Sequence, residues 1–366
     1  MKYLTKGAKR FKKHSAPMLQ YNPYLLSVKS SYRLIFKRKK EFNDFSYPLL
    51  VTSGLQRSGT HLLDNLLRNH HQILSYYGEL QIGKPNKYHW PDLKGETNIK
   101  KRFTTLLPRS LARNYLTLTR YRKSNLAYEN FVFDFRFFRK IFLQLEKKNK
   151  NFDQRSTLNN FFTAYFNAYL NCSHSNFYDQ YKYIIAPVPG LTIMKKSIRG
   201  FFEDYPDGKI FVLIREPFIW WNSARNHTKN LNKHGLERYE KTLANTKWAC
   251  DEYKSRVFAV SFDHLIENTD ESISLILKHA DLEFNQIATY PSKFPYYAND
   301  NSTFGHKRTR AVLKDKIKRK INISEEDRIH IKANIYPLYE DVLENYTINF
   351  IGNQNNDVAA QSLQFT

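Results

Sequence analysis

The sequence predicts an α/β fold, a three-layer sandwich in which a parallel sheet is flanked by helices and interrupted by a mostly helical insertion. Three observations predict it. Short apolar runs at 49–52, 191–194, 210–214 and 257–261 read as strands, and their near-continuous hydrophobicity suits burial on both faces. Segments with helical spacing lie between them, which is the alternation that builds a parallel sheet with helices on both sides. The first run ends in a turn bracketed by Gly54 and Gly59, and a helix follows at once.

Taken in order, the chain starts with a basic arm, placed at residues 1–45. Its first forty residues carry twelve Lys and Arg and no Asp or Glu, half of the net excess of +24. Such an arm suits an anionic membrane surface, nucleic acid or an acidic glycan, and the rest of the excess favours a polyanionic ligand. The body follows at 46–351. After the strand at 49–52 and its turn, Leu62, Leu63, Leu66 and Leu67 recur on one helical face. Residues 84–180 form the insertion, with a helix over 130–147 and another opened by Ser156, whose aromatic residues include Phe161, Phe162, Tyr165 and Phe166. The strands at 191–194, 210–214 and 257–261 complete the sheet. Near the end, Ser324 and Asp327 resemble a capping box with the acid one methylene short, and Pro337 interrupts or kinks the helix they open. Residues 352–366 are a polar tail.

Composition removes several classes. With 366 residues and 41% hydrophobic content, the chain can bury a sizeable core. Two cysteines, Cys172 and Cys250, supply neither a disulfide framework nor a zinc set, and the adjacent His70 and His71 lack metal-binding spacing. No metal is expected. No apolar run reaches the roughly 18 residues of a membrane span, and the N-terminus lacks a signal-peptide core, so the expected location is cytoplasmic, peripheral to a membrane at most.

The turn at 54–60 suits an anion. Its glycines let backbone amides approach closely, and the helix it opens presents its positive end. A Walker loop would place Lys directly after the second glycine, whereas Thr60 stands there, which disfavours an atypical P-loop kinase or NTPase. Farther on, Arg215 ends the apolar run at 210–214 and is followed by Glu216 and Pro217, with Ser223 eight residues beyond Arg215. An arginine at a strand end can pair bidentately with a dianionic phosphate in the crevice there. Lys195 and Lys196 follow the run at 191–194 and would put a cation at another strand end. Glu79, just after the first helix, is a carboxylate near the donor loop that could take a proton. A basic nucleic-acid-binding protein is the rival from another class, and no nucleic-acid motif supports it.

The segment Arg57-Ser58-Gly59-Thr60-His61-Leu62-Leu63 resembles the phosphosulfate loop of sulfotransferases that use 3'-phosphoadenosine-5'-phosphosulfate, a P-loop-like fold. The resemblance runs over residues 48–345, interrupted by the insertion. It implies that the backbone of Arg57, Ser58, Gly59, Thr60 and His61 and the Thr60 hydroxyl hold the 5'-phosphosulfate, and that Arg215 and Ser223 hold the 3'-phosphate. It also implies a catalytic cation at Lys195 or Lys196, with Lys196 the better match although Ile198 replaces the usual proline. Arg57 would add charge. Glu79 falls at the base position of the glycan and tyrosylprotein branches. Trp248 and the run 257–266 extend the likeness, and 301–308, with Lys307, would close over the nucleotide. The implied reaction needs no metal. A carbohydrate or glycolipid hydroxyl is the expected acceptor, because of the Glu base and an aromatic insertion able to stack on sugars.

Overall fold

The computed structural model describes residues 43–348 apart from 69, 77, 84–87, 108–134, 151, 169–179, 226, 228, 291, 294–295 and 298–320. The basic arm, the polar tail, Cys172 and the loop containing Lys307 therefore lie outside the described residues.

A five-stranded, wholly parallel sheet forms the centre, in the order β2-β3-β1-β4-β5. Its strands are β1 (Leu49–Ser53), β2 (Ile73–Ser75), β3 (Tyr183–Pro187), β4 (Lys209–Ile214) and β5 (Val257–Ser261). β1 is paired on both sides, with Val51 opposite Ala186 of β3 and opposite Ile210 of β4. Successive side chains on a strand point to opposite faces, and the strands divide accordingly. Leu49, Val51, Ile184, Ala186, Ile210 and Val212 enter one core, whereas Leu50, Ile185, Phe211, Leu213 and Val260 enter another. Both faces are thus apolar, as the continuous hydrophobic runs require.

The second core is covered by α1 (Thr60–Leu67) and by residues that include Leu265, Ile273 and Ile276. The first is covered largely by the insertion, which contains α2 (Ile99–Leu106), α3 (Phe135–Glu146) and α4 (Gln154–Ala168). Phe103, Phe138, Phe142, Phe161, Phe162, Tyr165 and Phe166 are all buried there. These rings pack edge-on, Phe138 against Phe161 at 5.4 Å for example. These seven rings fill the core, while the other aromatic residues of the insertion at 108–134 and 169–179 lie outside the described residues. Within this layer the Arg102 guanidinium is fully buried, donating to Thr157 Oγ1 at 2.6 Å and to the Phe152 carbonyl at 3.0 Å, with Glu146 at 3.3 Å. Buried charge persists here because each partner is also hydrogen-bonded.

One reading of the sequence needs correction. Residues 191–194 are not a strand: Leu191–Ile193 is a 3-10 turn, and α5 (Lys195–Asp204) begins immediately after it. The third strand lies upstream, in β3. Its successor α6 (Pro217–Ala224) follows β4, and α7 (Lys229–Tyr253) leads to β5, from which α8 (Phe262–Glu267) and α9 (Thr269–His279) continue.

At the C-terminal end, α10 (Glu325–His330) passes through a π turn, Ile331–Ile335, into α11 (Tyr336–Tyr346). Pro337 cannot donate to the carbonyl four residues back, and the widened turn just before it accommodates that loss. The capping box is half formed. Ser324 Oγ accepts from the Asp327 amide at 3.1 Å, but Asp327 Oδ2 accepts from Trp221 Nε1 at 2.8 Å and ties α10 to α6. Ser324→Ala is expected to cost about 1 kcal/mol and lower the melting temperature by about 2 °C in a thermal scan.

Candidate active site

Strand order brings the two anion-binding segments together. The C-terminal ends of β1 and β4 are neighbours, with Ser53 paired with Val212, so the turn at 54–59 and Arg215 open into one crevice. The turn depends on its glycines. Gly54 has φ +133°, and a Cβ there would sit 2.6 Å from the Leu213 carbonyl oxygen. Gly59 has φ +96°, and a Cβ would meet the Phe262 ring at 2.0 Å. Arg57 also holds a left-handed φ of 76°, an unusual conformation for a residue with a side chain and one that costs about 1–3 kcal/mol.

Several bonds hold that turn in place. The Ser58 amide donates to the Leu55 carbonyl at 3.1 Å, and Trp220 Nε1 donates to the Gln56 carbonyl at 3.0 Å. Arg215 Nη1 donates to the Arg57 carbonyl at 3.1 Å, while Arg57 Nε donates to Ser223 Oγ at 3.1 Å. Arg57, Arg215 and Ser223, which lie up to 166 residues apart, are therefore one connected group. Ser58 is buried, and its hydroxyl has no hydrogen-bond partner among the described residues. Together with the amides of the first turn of α1, which have no acceptor within the helix, this unpartnered hydroxyl fits a site made for an anion.

Arg215 is fixed from all sides. It is 8% exposed, its guanidinium lies 4.5 Å from the centroid of the Phe262 ring, and its amide donates to the Tyr239 hydroxyl at 3.2 Å. That hydroxyl in turn donates to the Arg215 carbonyl. Glu216 caps α6, accepting from the amides of Phe218 and Ile219 at 3.1 and 2.6 Å. The Glu216 amide donates to Asp263 Oδ2 at 3.2 Å. Burial pushes the Asp263 carboxyl up, and that amide and Arg215 pull it back down. Burial likewise raises Glu216, against the two amides it caps.

Glu79 lies beside the start of α1. Its Oε1 is 3.5 Å from His61 Nε2, and its Oε2 accepts from Gln81 Nε2 at 2.7 Å. Gln56 reaches the same side, donating from Nε2 to the Tyr88 hydroxyl at 2.9 Å. Lys195 and Lys196 are not joined to this group by any contact in the structure. Because the segment before them is a turn and not a strand, they occupy the first turn of α5. Lys196 is 85% exposed at its side chain and lies 4.0 Å from Asp92. Lys195 Nζ sits 4.9 Å over the Trp248 ring.

The supporting residues Gln56, Gln81, Tyr239 and Phe262 carry no local sequence signal for these roles, apart from the place of Phe262 in the run 257–266. Cys250 is buried, and burial pushes its thiol up to about 12, which excludes it as a thiolate nucleophile at neutral pH. Among the described residues no three His, Cys, Asp or Glu side chains form a group that could hold a metal ion, and no helix is long and apolar enough to cross a membrane.

Comparison with known proteins adds an independent finding. A model of the sulfotransferase family matches residues 48–286, well over half of the chain. Among solved structures, the chain is similar to the sulfotransferase domain from the Synechococcus PCC 7002 olefin synthase, at 14% identity and a TM-score of 0.45 over 84% of this chain and 98% of that one. It is also similar to the sulfotransferase domain from the curacin biosynthetic pathway, at 13% identity and a TM-score of 0.43 over 79% and 98%. A sulfotransferase from Alicyclobacillus acidocaldarius gives 12% identity and a TM-score of 0.41 over 81% and 95%. No curated protein sequence matches.

Proposed function

The chain belongs to the sulfotransferase family, and we propose that it moves a sulfuryl group from 3'-phosphoadenosine-5'-phosphosulfate to an acceptor hydroxyl on a carbohydrate or glycolipid. The observation that carries this reading is the hydrogen-bonded group of Arg57, Arg215 and Ser223 beside a glycine turn with an unpartnered buried hydroxyl. A donor with phosphates at both ends of a nucleoside needs two anion sites held at a fixed spacing, and these bonds fix it.

In this reading the amides of Gly59, Thr60 and His61, the Ser58 and Thr60 hydroxyls and the Arg57 guanidinium hold the 5'-phosphosulfate. Arg215 and Ser223 hold the 3'-phosphate, with the fork of Arg215 suited to two oxygens of a dianion. Glu79 accepts the proton of the attacking hydroxyl, and the loop donors stabilise charge on the departing phosphate. Lys196 would supply the catalytic cation that the resemblance implies, from an exposed position in the first turn of α5. Lys307, outside the described residues, would close over the nucleotide as the resemblance implies. The carbohydrate acceptor is supported by the Glu base and by the aromatic residues of the insertion other than those seven buried rings.

Calorimetry separates this from a nucleoside triphosphate site. The expected result is tight binding of 3',5'-adenosine bisphosphate, with ATP and magnesium binding at least tenfold more weakly. Tight ATP binding with indifference to the bisphosphate would overturn the assignment.

A further inference from the structure

We propose that His61 relays the acceptor's proton from Glu79 to solvent, an inference that rests on the sulfuryl-transfer reading above. The Glu79 carboxylate is flanked on both oxygens, by the Gln81 amide at 2.7 Å on Oε2 and by His61 Nε2 at 3.5 Å from Oε1. The two partners differ in kind. An amide can orient a carboxylate but takes no proton from it, whereas an imidazole can do both. They also differ in their route to water, since the His61 side chain is 44% exposed and that of Glu79 only 21%. His61 is the second residue of α1, so its backbone belongs to the anion-binding turn while its ring is set against the base.

Each turnover creates a proton that has to leave. As the acceptor oxygen bonds to sulfur, the bond from sulfur to the oxygen of the 5'-phosphate breaks and its electron pair departs with the phosphate. The acceptor O–H bond breaks, and its proton goes to Oε1 of Glu79. A protonated Glu79 cannot serve the next acceptor. Transfer to His61 Nε2 restores the carboxylate and forms an imidazolium, which loses a proton to water. The imidazole Nε2 can accept that proton, and the resulting imidazolium can give it up to water. The separation is 3.5 Å without substrate, and catalytic contacts of this kind commonly tighten when substrate binds. His61 is thus a positioning and relay residue that acts through Glu79.

The test uses the whole protein and reads the release of 3',5'-adenosine bisphosphate from the phosphosulfate donor, with water as acceptor. His61→Ala is expected to turn over roughly tenfold more slowly than wild type, with bisphosphate affinity within about twofold, and added imidazole is expected to restore most of the loss. His61→Gln, whose amide reaches roughly the place of Nε2 but takes no proton, should lose turnover in the same way. Glu79→Gln should be slow and should not respond to imidazole. A His61→Ala rate equal to wild type overturns the relay, as does a loss that imidazole leaves untouched or a recovery of Glu79→Gln to the same degree. A wild-type protein that neither binds the bisphosphate nor consumes the donor overturns the functional reading and the relay together.

Discussion

Glu79→Gln is expected to reduce turnover by about 10²–10⁴-fold while bisphosphate binding stays within about twofold of wild type. Glutamine has the shape of glutamate and still offers one carbonyl oxygen to the Gln81 amide, so the segment that carries it keeps its packing. What it cannot do is take a proton. The size of the loss follows from general-base catalysis, and its confinement to turnover follows from geometry. Glu79 lies beside His61 and Gln81 after the first helix, and the donor's phosphates are assigned to the glycine turn, Arg57, Arg215 and Ser223. Initial rates of bisphosphate release, set beside calorimetry on the same preparation, measure both quantities. An unchanged rate would remove Glu79 as the base. A collapse in affinity would show it to be part of the donor site.

How much of this was legible in the sequence depended on how local each signal was. The strands β1, β4 and β5 read clearly because apolar runs bounded by turn residues leave little choice. β3 did not. Tyr183–Pro187 is equally apolar, but the run at 191–194, with Thr192 and Ile193, has the same look, and short apolar runs cannot be told apart by periodicity. What makes 191–193 a turn is distant. Asn245 Nδ2, from the middle of α7, donates to the carbonyls of Thr192 and Ile193 at 2.9 and 2.8 Å and holds them out of any ladder. β2 is three residues long and carries no pattern at all.

The site divides along the same line. The glycine turn could be read because backbone conformation imposes residue type at Gly54 and Gly59. Arg215 and Ser223 could be read because a strand end and the following helix fix their spacing. Lys196 was placed by spacing from a strand that does not exist, and so it sits in solvent and not at a strand end. Phe262 and Tyr239, which hold Arg215 in place, reach it from 47 and 24 residues away by chain order. Only the folded chain shows their purpose.

Arg215→Ala is expected to weaken bisphosphate binding by on the order of a hundredfold or more, equivalent to about 3 kcal/mol. Two losses combine in this substitution. The guanidinium would pair with a dianion in a nearly closed setting, where a charge-assisted, bidentate contact is strongest. It also donates to the carbonyl of Arg57, the strained residue of the turn, so its removal loosens the 5' end of the site as well. Comparing ligands separates the two. Adenosine 5'-monophosphate has no 3'-phosphate, so any loss of its affinity in Arg215→Ala measures the turn alone, and the larger loss for the bisphosphate measures the direct pairing. Arg215→Lys should fall between, since it keeps the charge but not the fork or the stacking on Phe262. The fold has its own stake in Arg215, because Asp263 would lose the cation that offsets its burial. A thermal scan of each variant tells a weakened site from an unfolded one. Equal affinity of wild type and Arg215→Ala for the bisphosphate would place the 3'-phosphate elsewhere and leave this arginine a structural role, at Arg57 and beside Asp263.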